Sequence, residues 1–265
     1  KKFKEFKRPI AVIGVAEKGY ASFELTVHKT GGHSMMPEKE TAIDILATAL
    51  HTLRTQSTPA RLTPPVQELL HRISASSDNF FHRMAGSNDW LLEKPIESII
   101  SSSPEGYAMI HTTIVPTILE AGMKDNIIPD IAKAVVNTRI LPGETAQTVE
   151  DYIRRTIHDD RIQIKKISRY GSDPSPTTDF NSPAFKRVES AVYKTVPDVL
   201  PTPFLGTGGT DSRFFRRVSN GVVNFLPMTD SKGFHGINER LPLRDFQRSI
   251  NFIRTVIEES NREFR

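Results

Sequence analysis

Apolar positions recur at every second residue in "SFELTVH", residues 22–28, where Phe23, Leu25 and Val27 share one face; that period predicts a strand. The period changes in "EKETAIDILATALHTLR", where Ile43, Leu46, Leu50 and Leu53 form the stripe of an amphipathic helix. Strand patterning returns in 107–122 and 130–143, gives way to a helix in 145–158, and closes with a strand in 160–168. Along 130–143, Ala134, Val136, Thr138 and Ile140 take one face and Lys133, Asn137 and Arg139 the other. Helices should cover the apolar face, which leaves Arg139 on the open polar one. Residues 57 to about 107 break the rhythm with Pro59, Pro64, Pro65, Pro95 and Pro104, an interruption long enough to predict an inserted subdomain. With the insert omitted, the order β-α-β-β-α-β is the split βαβ arrangement of ferredoxin-like α+β domains.

The proline-rich stretch "YGSDPSPTTDFNSP" reads as a boundary. After it the pattern predicts a helix near 184–195, a strand ending in "FLGTGGTDSR", a helical turn, a strand "GVVNFLP" and a closing helix. Leu243, Phe246, Ile250, Ile253 and Ile257 make one stripe on that helix. Alternating strand and helix belongs to an α/β layer. Together with the apolar run "PIAVIGVA", this predicts an α/β domain built from residues 1–18 and 171–265. Residues 19–170 interrupt it.

Composition excludes several classes of function. The 265 residues carry a formal net charge of +4, spread along the chain. The basic patches lack aromatics in stacking order, so nucleic acid is not an expected partner. No apolar run approaches the ~20 residues needed to span a bilayer, so no membrane partner is expected. No segment signals a compartment. With no cysteine, a metal site must draw on His, Asp and Glu, a set that suits zinc, manganese or cobalt.

Four motifs can carry chemistry. His235 lies in "SKGFHGINERLPL", between small residues in a loop that follows a strand, where α/β sheets place ligands. It could be a metal ligand or a solvated loop histidine. "GTGGTDSR" places glycines before a helical start and could bind an anion or oxyanion through backbone N–H groups. A tight turn capped by the Asp211 side chain explains it equally well. His33, in "GGHSMMP", could donate to a developing oxyanion. Asn126, in "KDNIIP", has the cheaper explanation of an Asx turn. Arg139 could take a carboxylate in its planar fork. "HDD" at 158–160 and the Glu258–Glu259 pair read as solvated faces.

Taken in order, "GGHSMMP", "KDNIIP…NTRILPG", "GTGGTDSR" and "FHGINER" resemble the zinc aminoacylase and carboxypeptidase family (clan MH metallopeptidases, family 20), closest to its carboxypeptidase S branch. The resemblance implies an α/β zinc-exopeptidase catalytic domain with two zinc ions per active site, interrupted by a ferredoxin-like lid that also forms a homodimer. It implies hydrolysis of an amide bond in a small peptide or N-acyl amino acid with a free carboxylate. His235 then matches a metal ligand. His33 matches the lid histidine that stabilises the oxyanion, in its own or a partner's site. Asn126 and Arg139 match substrate-binding residues, Arg139 taking the carboxylate, and Gly208 and Gly209 line the site. The family's His-x-Asp motif, bridging Asp, Glu-Glu pair and further acidic ligand are not recognised here. The expectation is therefore a C-terminal piece of a longer enzyme, inactive alone. The alternative is a dimerisation or small-molecule regulatory module without hydrolase activity.

Overall fold

A computed structural model describes residues 8–79, 83, 86, 89–168, 171–229, 231–233 and 236–262. In chain order the elements are β1 (Ile10–Glu17), β2 (Gly19–His28), β3 (Gly32–His33), α1 (Ala42–Thr55), α2 (Pro64–Ala75), α3 (Asp89–Ser101), α4 (Pro104–Ile110), β4 (Thr113–Ala121), β5 (Ile127–Ile128), β6 (Ile131–Ile140), α5 (Ala146–Ile157), β7 (Ile162–Lys166), α6 (Pro183–Thr195), β8 (Leu200–Gly206), α7 (Ser212–Phe215) and α8 (Leu243–Arg262).

The lid is an antiparallel sheet in the order β4-β6-β2-β7. On one face Ala21, Phe23, Leu25 and Val27 of β2 and Ala132, Ala134 and Val136 of β6 are fully buried against α1 and α5. Fully burying a side chain such as Phe23 contributes about 1.5–3 kcal/mol. This is the βαββαβ arrangement read from the alternating pattern, with Arg139 on the face away from the helices. On α1 the buried stripe is Ala42, Ile45, Leu46, Ala49 and Leu53, while Ile43 is exposed. The predicted stripe is therefore rotated by part of a turn.

The α/β layer pairs β1 and β8 in parallel, from Ile10↔Leu200 to Glu17↔Gly206. Ile13, Val15, Phe185, Val192 and Phe252 form its core with α6 and α8. Three expectations are corrected here. "GVVNFLP" is no strand, and its backbone pairs with the sheet through one bridge among the described residues, Gly14↔Asn224. "YAMI" lies in α4, because Ser103 caps a helix there by accepting from the Gly106 N–H. On α8, Leu243, Phe246, Ile250, Ile253 and Ile257 are exposed, and Phe252, one position off that stripe, enters the core.

The chain passes between lid and α/β layer at one place. Tyr20 and Ser172 exchange two backbone hydrogen bonds of 2.8 and 2.9 Å, and the Lys18 N–H reaches the Gly206 carbonyl at 2.9 Å.

Candidate functional site

The candidate residues fall at two ends of the lid. His33 and Asn126 come together at the tip, where β3 and β5 pair through Gly32↔Ile128 and His33↔Ile127. The Ser34 N–H donates to the Asn126 carbonyl at 3.2 Å, and the Met35 N–H donates to His33 Nδ1 at 3.1 Å. An imidazole that accepts at Nδ1 carries its proton on Nε2 when neutral, so exposed His33 offers a donor there. The Asn126 side-chain oxygen is buried and has no partner among the described residues. An unsatisfied buried acceptor costs about 1–3 kcal/mol, which a donor arriving from outside would recover.

Arg139 stands at the other end. Its register partner is Tyr20, while the far end of the same ladder pairs Ile131 with His28. Eight residues of extended strand separate the two ends, about 26 Å at roughly 3.3 Å per residue. His33 and Asn126 lie beyond that far end, so a single chain does not bring them to Arg139. The Arg139 guanidinium lies over the Tyr20 ring, 5.0 Å from its centroid, and makes no hydrogen bond or ion pair among the described residues. A half-buried guanidinium held over an aromatic face keeps its planar fork available for a carboxylate.

Gly208 and Gly209 follow β8 in an exposed bend, and a Cβ at Gly208 would meet nothing within 4 Å. The following turn is not capped by the Asp211 side chain, which makes no capping bond. The loop is held instead by Glu17, a residue the sequence reading passed over. Its carboxylate, 3% exposed, accepts from the Thr210 N–H at 3.1 Å, from Asn224 Nδ2 at 3.0 Å and from the Thr210 hydroxyl. Those three bonds leave one of a carboxylate's roughly four lone-pair sites open. The available signal was an acid closing the apolar run "PIAVIGVAE" just before the lid. Beside it, Arg216 is buried and donates to the Val15 and Val222 carbonyls at 2.6 Å each; burial lowers its pKa.

His235, the expected metal ligand, lies outside the described residues. Among the described residues no three His, Cys, Asp or Glu side chains gather in a way that could hold a metal ion. These residues alone do not form a metal cage. His158 takes a left-handed helix cap, and neighbouring Asp159 pairs with Arg161 at 2.6 Å, as a solvated face would.

Comparison with known proteins matches this architecture. A family profile, the peptidase dimerisation domain of M20 peptidases, covers residues 15–163. The chain is 33% identical over 98% of its length to a probable carboxypeptidase S-like 2 of Dictyostelium discoideum, spanning 50% of that protein. It is 34% identical over 97% of its length to the human N-fatty-acyl-amino acid synthase/hydrolase PM20D1, spanning 52% of it. The chain thus spans about half the length of the curated relatives it matches. In fold, it superposes with a TM-score of 0.65 on an M20 family metallo-carboxypeptidase from Sulfolobus solfataricus, at 16% identity, covering 93% of this chain and 59% of the other. No described helix is long and apolar enough to cross a membrane. A lid whose strand order, tip pair and flanking helices fall within the matched profile leads to one assignment: the chain belongs to the M20 peptidase family.

Proposed function

We propose that this protein recognises the free carboxylate of a small peptide or N-acyl amino acid and takes part in zinc-dependent hydrolysis of its amide bond. The observation that carries the reading is Arg139: a guanidinium over the Tyr20 ring, without a hydrogen-bond or ion-pair partner among the described residues, at the end of the lid where Lys18 bonds to Gly206. Its fork takes the carboxylate, and the exposed backbone around Gly208 and Gly209 lines the same end. A carboxylate held by a charge-assisted pair gains about 1.5–3 kcal/mol. Zinc would supply a polarised amide and a water of lowered pKa. The described residues make no cage for it, so no metal-dependent step is derived from them. Glu17, with one lone-pair site open at the carboxyl end of β1, and His235 are the donors this chain would offer.

The chain acts as a homodimer through its lid, and His33 and Asn126 serve the partner's site. Three features support this. The lid matches a dimerisation domain. His33 and Asn126 stand about 26 Å or more along the sheet from Arg139, a span no small substrate bridges. And β4, an edge strand leading toward Asn126, exposes Ile118 at 51% and Leu119 at 66%. An unpaired apolar edge favours pairing with another strand. At the partner's site the Nε2–H of His33 would donate to the oxygen on which charge develops, and the Asn126 oxygen would find its donor.

Calorimetric titration with an N-acyl amino acid and with the matching carboxamide tests recognition. The free acid should bind and the amide should not, with roughly 10- to 100-fold loss on Arg139→Met. Equal binding of the two ligands, or binding indifferent to Arg139, refutes it. For hydrolysis, the readout is zinc-dependent release of the amino acid by the full-length gene product, since this chain spans about half the length of its relatives and is expected to be inactive alone. A mixture of His33→Ala and Arg139→Met protomers should recover about a quarter of the wild-type rate, since half the dimers are mixed and each has one sound site.

A further inference from the structure

The segment inserted between α1 and β4 touches more than the lid that carries it. Leu62 just before α2, Val66 in its first turn and Ile110 at the end of α4 are buried in one cluster with Ala16 of β1, Leu205 of β8 and Leu141, the residue after β6. This small core takes side chains from the α/β layer, the insert and the lid at once. Polar contacts flank it on both sides. Toward the α/β layer, Arg72 of α2 bonds to Glu189 of α6 at 2.5 Å and to the Pro201 carbonyl of β8 at 3.1 Å, and its guanidinium lies 5.6 Å from the Phe185 ring centroid. Toward the lid, Arg61 donates to the Pro142 carbonyl at 2.8 Å, and Gly143, at φ +91°, leaves room for that guanidinium. Within the insert the Thr58 hydroxyl bonds to the Thr112 carbonyl at 2.7 Å, and the Thr112 hydroxyl accepts from the Leu141 N–H of the lid at 2.9 Å. At the crossing itself, buried Lys18 donates to the Ala108 and His111 carbonyls at 3.0 and 2.6 Å.

We propose that the insert is a brace: α2 and α4 lock the lid onto the α/β layer and hold the two at one fixed opening. Without it, the lid would be joined through the two backbone stretches that cross at Tyr20 and Ser172 and by a few contacts beside them, such as the Ala146 N–H on Asp173 Oδ1 at 2.8 Å, and a pair of single-chain crossings is a hinge. With it, any swing must break the Leu62–Val66–Ile110–Leu141–Leu205 contacts and strip Arg72 from Glu189. Packed cores resist continuous deformation, so the joint stays at the setting these contacts define until they break together. The consequence for catalysis rests on the function proposed above: Arg139 and the Gly208–Gly209 bend would face each other at a set distance before substrate arrives. The brace itself does not depend on that function.

The absence of cysteine makes the test direct. Asp151→Cys on α5 and Arg254→Cys on α8, both exposed, take spin labels in the full chain, diluted with unlabelled protein so that only distances within a chain are read. The otherwise unsubstituted chain should give one narrow distance distribution. Arg72→Met, and separately Val66→Ala, should add a second population at longer distance, with the circular dichroism spectrum unchanged, and Arg72→Lys should fall between. Should Val66→Ala fail to fold, Arg72→Met carries the result, because it removes a link between elements and no core volume. A broad distribution before any substitution overturns the proposal, as does a distribution that Arg72→Met leaves narrow. Neither reading involves substrate or metal, so failure here is distinct from failure of the hydrolase assignment.

Discussion

Gly19 is the residue on which the crossing between the two layers is most exposed to a single methyl group. A Cβ built there would lie 2.7 Å from Pro174 N, 2.8 Å from Pro174 Cδ and 2.8 Å from the Ser172 carbonyl oxygen. Two of these three atoms are backbone, and Pro174 is rigid, so the strain cannot be relieved by a rotamer change. Overpacking of this kind costs about 1–3 kcal/mol. The same displacement would stretch the Tyr20–Ser172 pair of hydrogen bonds, each worth about 0.5–1.5 kcal/mol. Against this, replacing glycine lowers the entropy of the unfolded chain and returns about 0.4–1 kcal/mol. The net expectation for Gly19→Ala is a loss of roughly 2–3 kcal/mol, or about 4–6 °C in Tm for a chain of this size. Gly32 is the control: a Cβ there meets nothing within 4 Å, so Gly32→Ala should be neutral or slightly stabilising. Urea melts followed by circular dichroism give both values under identical conditions. If Gly19→Ala melts with wild type, or if the two variants lose equally, the crowding described at the crossing is not real.

His111 is buried, with Nδ1 against the Thr58 carbonyl at 2.6 Å and Nε2 against Ser101 Oγ at 2.9 Å; burial lowers its pKa below the usual 6.5, so it is neutral at pH 7. Below pH 6.5 the unfolded chain takes up a proton that the folded chain resists, so stability should fall with pH in that range, and urea melts of His111→Phe should show a shallower decline. Replacing Glu17 with Gln turns an amide N–H toward the Thr210 and Asn224 donors; it should cost about 1–3 kcal/mol and speed hydrogen exchange at the Thr210 amide, and unchanged exchange would count against Glu17 as the anchor of the loop. Leu119→Lys places a charge on the β4 edge and should shift the protein toward monomer in light scattering, whereas an unaltered mass moves the interface elsewhere.

The lid was legible from sequence because β2 and β6 alternate cleanly between a covered face and an open one. Periodicity names faces, however, and not partners. That Arg139 lies opposite Tyr20 while His33 pairs with Ile127 follows from strand register, which neither strand reveals alone. The split of the candidate residues between two ends of the lid was hidden for that reason. The stripe on α8 misled because helical spacing shows which residues share a side, and the covered side is centred on Phe252 and Val256. "GVVNFLP" has strand composition, yet it contributes one bridge and the Val222 and Asn224 contacts to Arg216 and Glu17. Glu17 escaped notice because its role comes from Thr210, a residue 193 positions away.

The paired backbones of Tyr20 and Ser172 make the lid begin and end at a single point on the surface beneath it. Nothing has to be threaded to set such a unit in place. To the lower layer it is equivalent to a tight turn, because the entropy of closing the long excursion is met when the lid folds on itself. A module with touching termini can be transplanted between scaffolds or replaced by a short turn, and the parallel pair below would keep its connectivity in either case.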